Sequence, residues 1–156
     1  MNKVKVLRVI LIILIIIWTW LIFSFSSQDG DESSGLSRKV VEFFIKDQEL
    51  VDKIEPYARK IAHFSEYGLG GILFISLFST YKWSDERKII TSILLGIWYA
   101  IMDEIHQLMV PGRSGAIKDV YIDSLGIITG VIGMMILIKI VDIVKDKNKS
   151  KKIAKA

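Results

Sequence analysis

Cysteine is absent from this 156-residue chain, which excludes both a disulfide framework and a thiolate metal site. Histidine occurs only twice, as His63 and His106, so few nitrogen ligands exist for a transition metal. There is no Gly-x-Ser-x-Gly elbow and no Walker-type glycine loop, and neither serine-hydrolase nor nucleotide-cradling chemistry finds its usual support. Charge is missing from residues 9–25, a stretch of 17 residues. That run exceeds the usual signal-peptide core of about 7–15 residues and approaches a full membrane span, which favours an uncleaved first helix over a cleaved leader.

What is present is apolar and blocky. Hydrophobic residues make up 51% of the chain and are concentrated in four segments rather than spread at core-like spacing. The pattern predicts an all-α, polytopic membrane protein with a single domain over residues 1–141. Its transmembrane helices are expected at about 6–25, 56–81, 89–109 and 118–141. Pro56 suits the first turn of the second, and Pro111-Gly112 ends the third. Between the first two, residues 37–54 mix Val40, Val41, Phe44, Val51 and Ile54 with charges. They read as an amphipathic extracellular or interfacial helix that lies on the membrane or lids the bundle, with a solvated loop helix as the plainer alternative. Trp18, Trp83 and Tyr121 read as interfacial belt residues, whereas Trp98 and Tyr99 read as packing residues. Gly126, Gly130 and Gly133 leave one face of the last segment nearly bare, so another helix can approach it. The lysine-rich tail at 142–156 is expected to be disordered and cytoplasmic.

The net charge of +4 invites a nucleic-acid reading, but the surplus sits at segment ends. Of 21 basic residues, thirteen fall in the N-terminal arm, the 82–88 loop and the tail from Lys139. Residues 27–60 hold eight acids against six bases. By the positive-inside rule both termini and the 82–88 loop face the cytoplasm, and no nucleic-acid partner is expected.

Three of the four segments also carry a carboxylate at one common depth. Glu66, Asp103 and Asp123 each lie fifteen or sixteen residues from the basic edge marked by Lys82, Lys88 and Lys139, and Ser24 lies sixteen from Arg8. At 1.5 Å per residue that is about 23 Å into a hydrocarbon layer about 30 Å thick. Ionisable groups so deep are expensive and point to a functional site. Helical spacing groups them further. His63, Glu66 and Tyr67 share a face of the second segment, as do Asp103, His106 and Gln107 of the third, with Glu104 beside them. Asp119 and Asp123 share a face of the fourth, and Arg113 sits in the loop before it. Arg113, Lys60 and the two histidines are the available counter-charges. The plainer alternative is that Glu104, Asp119 and Arg59 face water near helix ends, and that buried pairs only fix packing. His63-x-x-Glu66 and Asp103-x-x-His106 resemble the pairs of helical di-metal sites, but two histidines without assignable bridging carboxylates do not make a metal centre. The 112–115 turn, with Ser114, is a weak anion-binding candidate.

These residues resemble the VanZ-like family of small bacterial membrane proteins. The likeness rests on Lys60-x-x-His63-x-x-Glu66-Tyr67, and on Asp103-Glu104-x-x-Gln107-x-x-x-Pro111-Gly112-Arg113 continuing through Asp119 and Asp123 to Gly126 and Gly130. Ser26-Ser27-Gln28, followed by Ser34 and Ser37, also matches the family's pattern after the first helix. Position 123 departs from it: the family often has Asn where this chain has Asp, which adds a charge. The resemblance implies a multi-pass plasma-membrane protein related to one associated with low-level teicoplanin resistance. It implies no settled catalytic activity and no cofactor.

The expected ligand-binding residues are therefore Lys60, His63, Glu66, Tyr67, Asp103, Glu104, Gln107, Arg113, Asp119 and Asp123. In a binding protein they would take the polar head of a lipid, lipid-linked wall precursor or lipophilic glycopeptide. Arg113 and Lys60 would then hold anionic groups, and the acids would orient Arg113 or bind amines. In an intramembrane lipid-modifying enzyme, His63 or Glu66 would act as general base and Arg113 would stabilise negative charge. Proton-linked transport would need an oligomer, since four helices rarely enclose a pathway.

Overall fold

The computed structural model describes residues 2–28, 30–113 and 117–153, with side chains throughout except at 30–34 and 151–153. Among the described residues there are five helices and no strand: α1 (Lys3–Ser26), α2 (Gly30–Phe44), α3 (Gln48–Ser79), α4 (Asp85–Gln107) and α5 (Ile117–Ile153). All except α2 are long and apolar enough to cross a membrane. Their outward faces carry large apolar side chains such as Ile16, Trp20, Leu94, Trp98 and Ile136. A soluble protein would not expose so continuous an apolar surface, whereas hydrocarbon solvates it.

The basic ends of the spans meet. The Arg8 guanidinium donates to Thr80 Oγ1 at 3.1 Å and Thr80 O at 2.9 Å, and it lies over the Tyr81 ring. Asp85 pairs with Lys88 at 3.0 Å and with Lys139 at 3.4 Å. The helices therefore alternate in direction, with the termini of α3 and α4 joined by a short turn here. The opposite end gathers the C-terminal ends of α1 and α4, the middle of α3 and the start of α5.

The α3–α5 contact is the tightest. A Cβ at Gly126 would collide with the Phe64 carbonyl oxygen, and one at Gly130 with that of Gly68. Gly133 has nothing near it, so the bare face predicted for the last segment serves α3 for two of its three glycines. Trp18 corrects the sequence reading more sharply. It is buried rather than interfacial, donates from Nε1 to Glu66 O at 2.9 Å, and meets Tyr67, Phe74 and Tyr99 ring to ring. The ring fits because Gly70 offers no side chain beneath it. Trp83 stacks on Phe78 with Arg87 over its face, Tyr121 is exposed, and of the two expected packing residues Tyr99 is half-buried while Trp98 faces outward.

The single helix expected at 37–54 is two pieces. Asp47 breaks it by capping the next helix, accepting from Glu49 N and Leu50 N. Residues 48–54 then run straight into the second span, so Pro56 lies inside α3 rather than in its first turn. Its missing N–H is tolerable because that stretch projects beyond the apolar span: 32 residues make about 48 Å of helix. α2 folds back along this projection. Arg38 pins it, donating to Glu42 at 2.9 Å, Asp52 at 2.6 Å and Gln48 at 2.6 Å. Val41 and Val51 are buried between the two pieces.

The tail also differs from expectation, since α5 continues as helix to Ile153. Lys145 near Asp142 and Ser150 bonded back to Asp146 O are the local contacts of that extension. A span already wound supplies the nucleus that an isolated lysine-rich peptide would lack.

Candidate functional site

A cavity of about 190 Å³ opens between α1, α2 and α3 at the end of the bundle away from the basic edge. Its walls are apolar: Ile22 and Phe25 from α1, Leu36 and Val40 from α2, Ala58 and Ala62 from α3. Its floor is polar, made of His63, Glu66, Tyr67 and Asp103. Arg59, Arg113, Ser26, Gln28 and Ser37 complete it. α2 therefore contributes one wall of the cavity through Leu36, Ser37 and Val40.

Each floor residue is placed by helix register. His63, Glu66 and Tyr67 stand one turn apart on α3, facing α4 and α5. The His63 Nδ1 lies 3.6 Å from Asp123 Oδ1 of α5, an ion-pair separation that is long for a hydrogen bond. Asp123 is almost wholly buried, and neither of its oxygens finds a hydrogen-bond partner. Tyr67 has no exposed surface at all. Its hydroxyl is within interaction range of Asp103 yet closes no hydrogen bond. The α4 carboxylate of Asp103 accepts from Gln107 Nε2 at 2.9 Å, and the same amide nitrogen lies 3.4 Å from Ser26 Oγ.

Arg113 reaches this network from the loop. Gly112 turns the chain with a φ of 74°, a conformation that favours glycine. The guanidinium then donates from Nη1 to Gln107 Oε1 at 3.0 Å, from Nε to Gln28 O at 3.0 Å and from Nη2 to Phe25 O at 3.0 Å. Phe25 O belongs to the last turn of α1 and also accepts from Gln28 N at 3.3 Å, and Gln28 O lies just past the end of that helix. Gln107 thus links the arginine on its oxygen to Asp103 on its nitrogen. An amide fits there because it carries both an acceptor and a donor.

The remaining expected residues lie elsewhere. Lys60 and Asp119 line a second cavity of about 370 Å³ on the α5 side of α3, with Glu55, Pro56 and Ile122. His63 and Arg59 line both cavities and form the partition between them. Glu104 is buried but faces away from Asp103, into an otherwise apolar cleft between α4 and α5. His106 also leaves the Asp103 face, stacking on Phe23 with its Nε2 3.1 Å from Ser27 Oγ. Ser114 and Gly115 of the 112–115 turn lie outside the described residues, as does the side chain of Ser34. Among the described residues no three histidine or acidic side chains converge as a metal-ligand set.

Sequence reasoning left Arg59 out of the site. Its spacing of four from His63 was the signal, because both then share a helix face. Ser26, Gln28 and Ser37 entered only as part of a family pattern, and their place in the cavity depends on how α1 and α2 dock.

Four membrane-length helices with a charged cavity at one end of the bundle define the class: a multi-pass membrane protein with a polar site. A family model described as VanZ/LLP1 matches residues 11–139, and the chain belongs to that family. The match spans every residue that lines the cavity. No curated protein and no solved structure matches the chain.

Proposed function

We propose that this VanZ/LLP1 protein sits in the bacterial plasma membrane with both termini in the cytoplasm. There it holds the polar head of a lipid, a lipid-linked wall precursor or a lipophilic glycopeptide beneath the outer headgroups. The clustering of Arg8, Arg87, Lys88 and Lys139 at one end supports the orientation. The cavity's two-sided lining is the observation that carries the binding reading: apolar walls for a chain, and ionisable groups at the bottom for a head. Retention of such a molecule at the outer leaflet would give the chain a route to low-level glycopeptide resistance.

A second reading is supported by one observation. Asp123 stands behind His63, the arrangement that orients an imidazole as a general base. The protein would then modify a lipid, with His63 removing a proton and Arg113 near the developing charge.

One assay set separates the two. The purified protein is given labelled lipid, wall precursor and glycopeptide, alongside Glu66→Gln, Asp103→Asn and His63→Gln. Saturable binding without product, weakened in the carboxylate variants, supports retention. Product formation lost in His63→Gln supports the enzyme. Wild-type behaviour of all three variants in binding, turnover and cellular resistance overturns both.

A further inference from the structure

We infer that the head group accepted by the α1–α2–α3 cavity is a protonated amine on an apolar chain, a deepening that rests on the binding reading above. The basic groups of the cavity are already engaged at its rim. Arg59 Nη2 contacts Glu55 at 2.6 Å, and Glu55 balances the arginine's charge even though its buried Nε–H has no acceptor. Arg113 spends its fork on Gln107 Oε1 and the Phe25 and Gln28 carbonyls. The floor is the reverse. Among the described residues no lysine or arginine pairs with Glu66, Asp103 or Asp123, and the ion-pair neighbour of Asp123 is His63.

Independently of the acids, Tyr67 points to a ligand. It is fully buried, lines the cavity and leaves its hydroxyl without a partner, a costly state that a bound donor relieves by bonding the phenolic oxygen while the O–H turns to the nearby Asp103 carboxylate. An ammonium has three N–H donors and no acceptor, which suits two carboxylates and a phenolic oxygen. An anion would have to sit against Glu66 and Asp103; the buried Arg59 Nε–H could donate to it, but Arg59 Nη2 and the Arg113 fork would do so only by breaking the rim contacts. The volume fits a head and little else: about 190 Å³ holds roughly six water-sized groups at about 30 Å³ each. The rest of the molecule therefore passes Phe25, Leu36 and Val40 towards lipid.

The test uses spin-labelled stearyl chains in liposomes containing the full-length protein. Four heads are compared: ammonium, phosphoethanolamine, phosphate and hydroxyl. The protein-immobilised fraction is read from the spectra against protein-free liposomes. The two ammonium-bearing heads are expected to exceed phosphate and hydroxyl by about ten-fold, the size of one charge-assisted hydrogen bond. Preference for phosphoethanolamine within that pair marks a membrane lipid as the source, and preference for bare ammonium a cationic amphiphile. The Glu66→Gln/Asp103→Asn double variant should lose the preference. If it fails to fold, Tyr67→Phe decides, since it should weaken the ammonium heads several-fold at unchanged helical content. Phosphate binding as well as ammonium, or indifference to the head, overturns the inference and leaves retention standing. No immobilised fraction for any head removes retention as well.

Discussion

Replacing Arg113 by lysine separates charge from shape at the junction of α1, α4 and the loop. The three guanidinium nitrogens address three acceptors on two elements, each at 3.0 Å. Hydrogen bonds inside membrane proteins average about 0.6 kcal/mol, while those to charged groups reach about 1.5–3 kcal/mol. Arg113→Ala is therefore expected to destabilise by about 2–4 kcal/mol, because Phe25 O, Gln28 O and Gln107 Oε1 all lose a donor together. A lysine keeps the charge but is a point donor that cannot span three directions, so Arg113→Lys should recover at most one bond. Its expected loss is about 1–3 kcal/mol. The assay is reversible unfolding in mixed micelles of rising SDS fraction, followed by far-ultraviolet circular dichroism. Lysine within about 0.5 kcal/mol of wild type, with alanine clearly lower, would mean that only charge matters here. The forked geometry would then carry no weight.

Two further outcomes follow from the packing. Gly130→Ala places a methyl against the Gly68 carbonyl and should cost about 1–3 kcal/mol in the same titration, whereas Gly133→Ala, which meets open space, should stay within about 0.5 kcal/mol. Equal effects at the two sites would show that the α3–α5 approach leaves room for a methyl at Gly130. Arg38→Ala should speed amide exchange across α2 and leave α4 unchanged, since the Asp52, Gln48 and Glu42 contacts all depend on it. Unchanged exchange in α2 would remove Arg38 as the pin of that helix.

Much of the architecture is legible because lipid leaves the backbone few choices. An apolar run of span length must satisfy its own hydrogen bonds, so four long apolar helices could be expected, and four are present. The acids and His63 were found for the same reason: ionisable residues at depth stand out against Ile and Leu. Local chemistry that competes with pattern was harder to read. Asp47 works as a cap within what looked like one amphipathic stretch, and Pro56 sits in a projecting part of α3 where its missing donor matters little. Trp18 looked like a belt residue because sequence gives its depth but not its azimuth.

The amino-acid order by itself determined four apolar crossings, the basic edge they share and the layer of carboxylates opposite it, because length and charge placement follow directly from bilayer thickness and solvation cost. Rotation of each helix about its axis was decided only by tertiary packing. Glycine contacts set α5 against α3 and seated Trp18 over Gly70. That docking gave Asp103 and Glu104, which helical register sets about 100° apart on α4, different neighbours, and it spread the expected ligand set over two cavities with His63 between them and a cleft that holds Glu104. Helical periodicity fixes which residues share a face, whereas the partner met by that face depends on contacts distant in sequence.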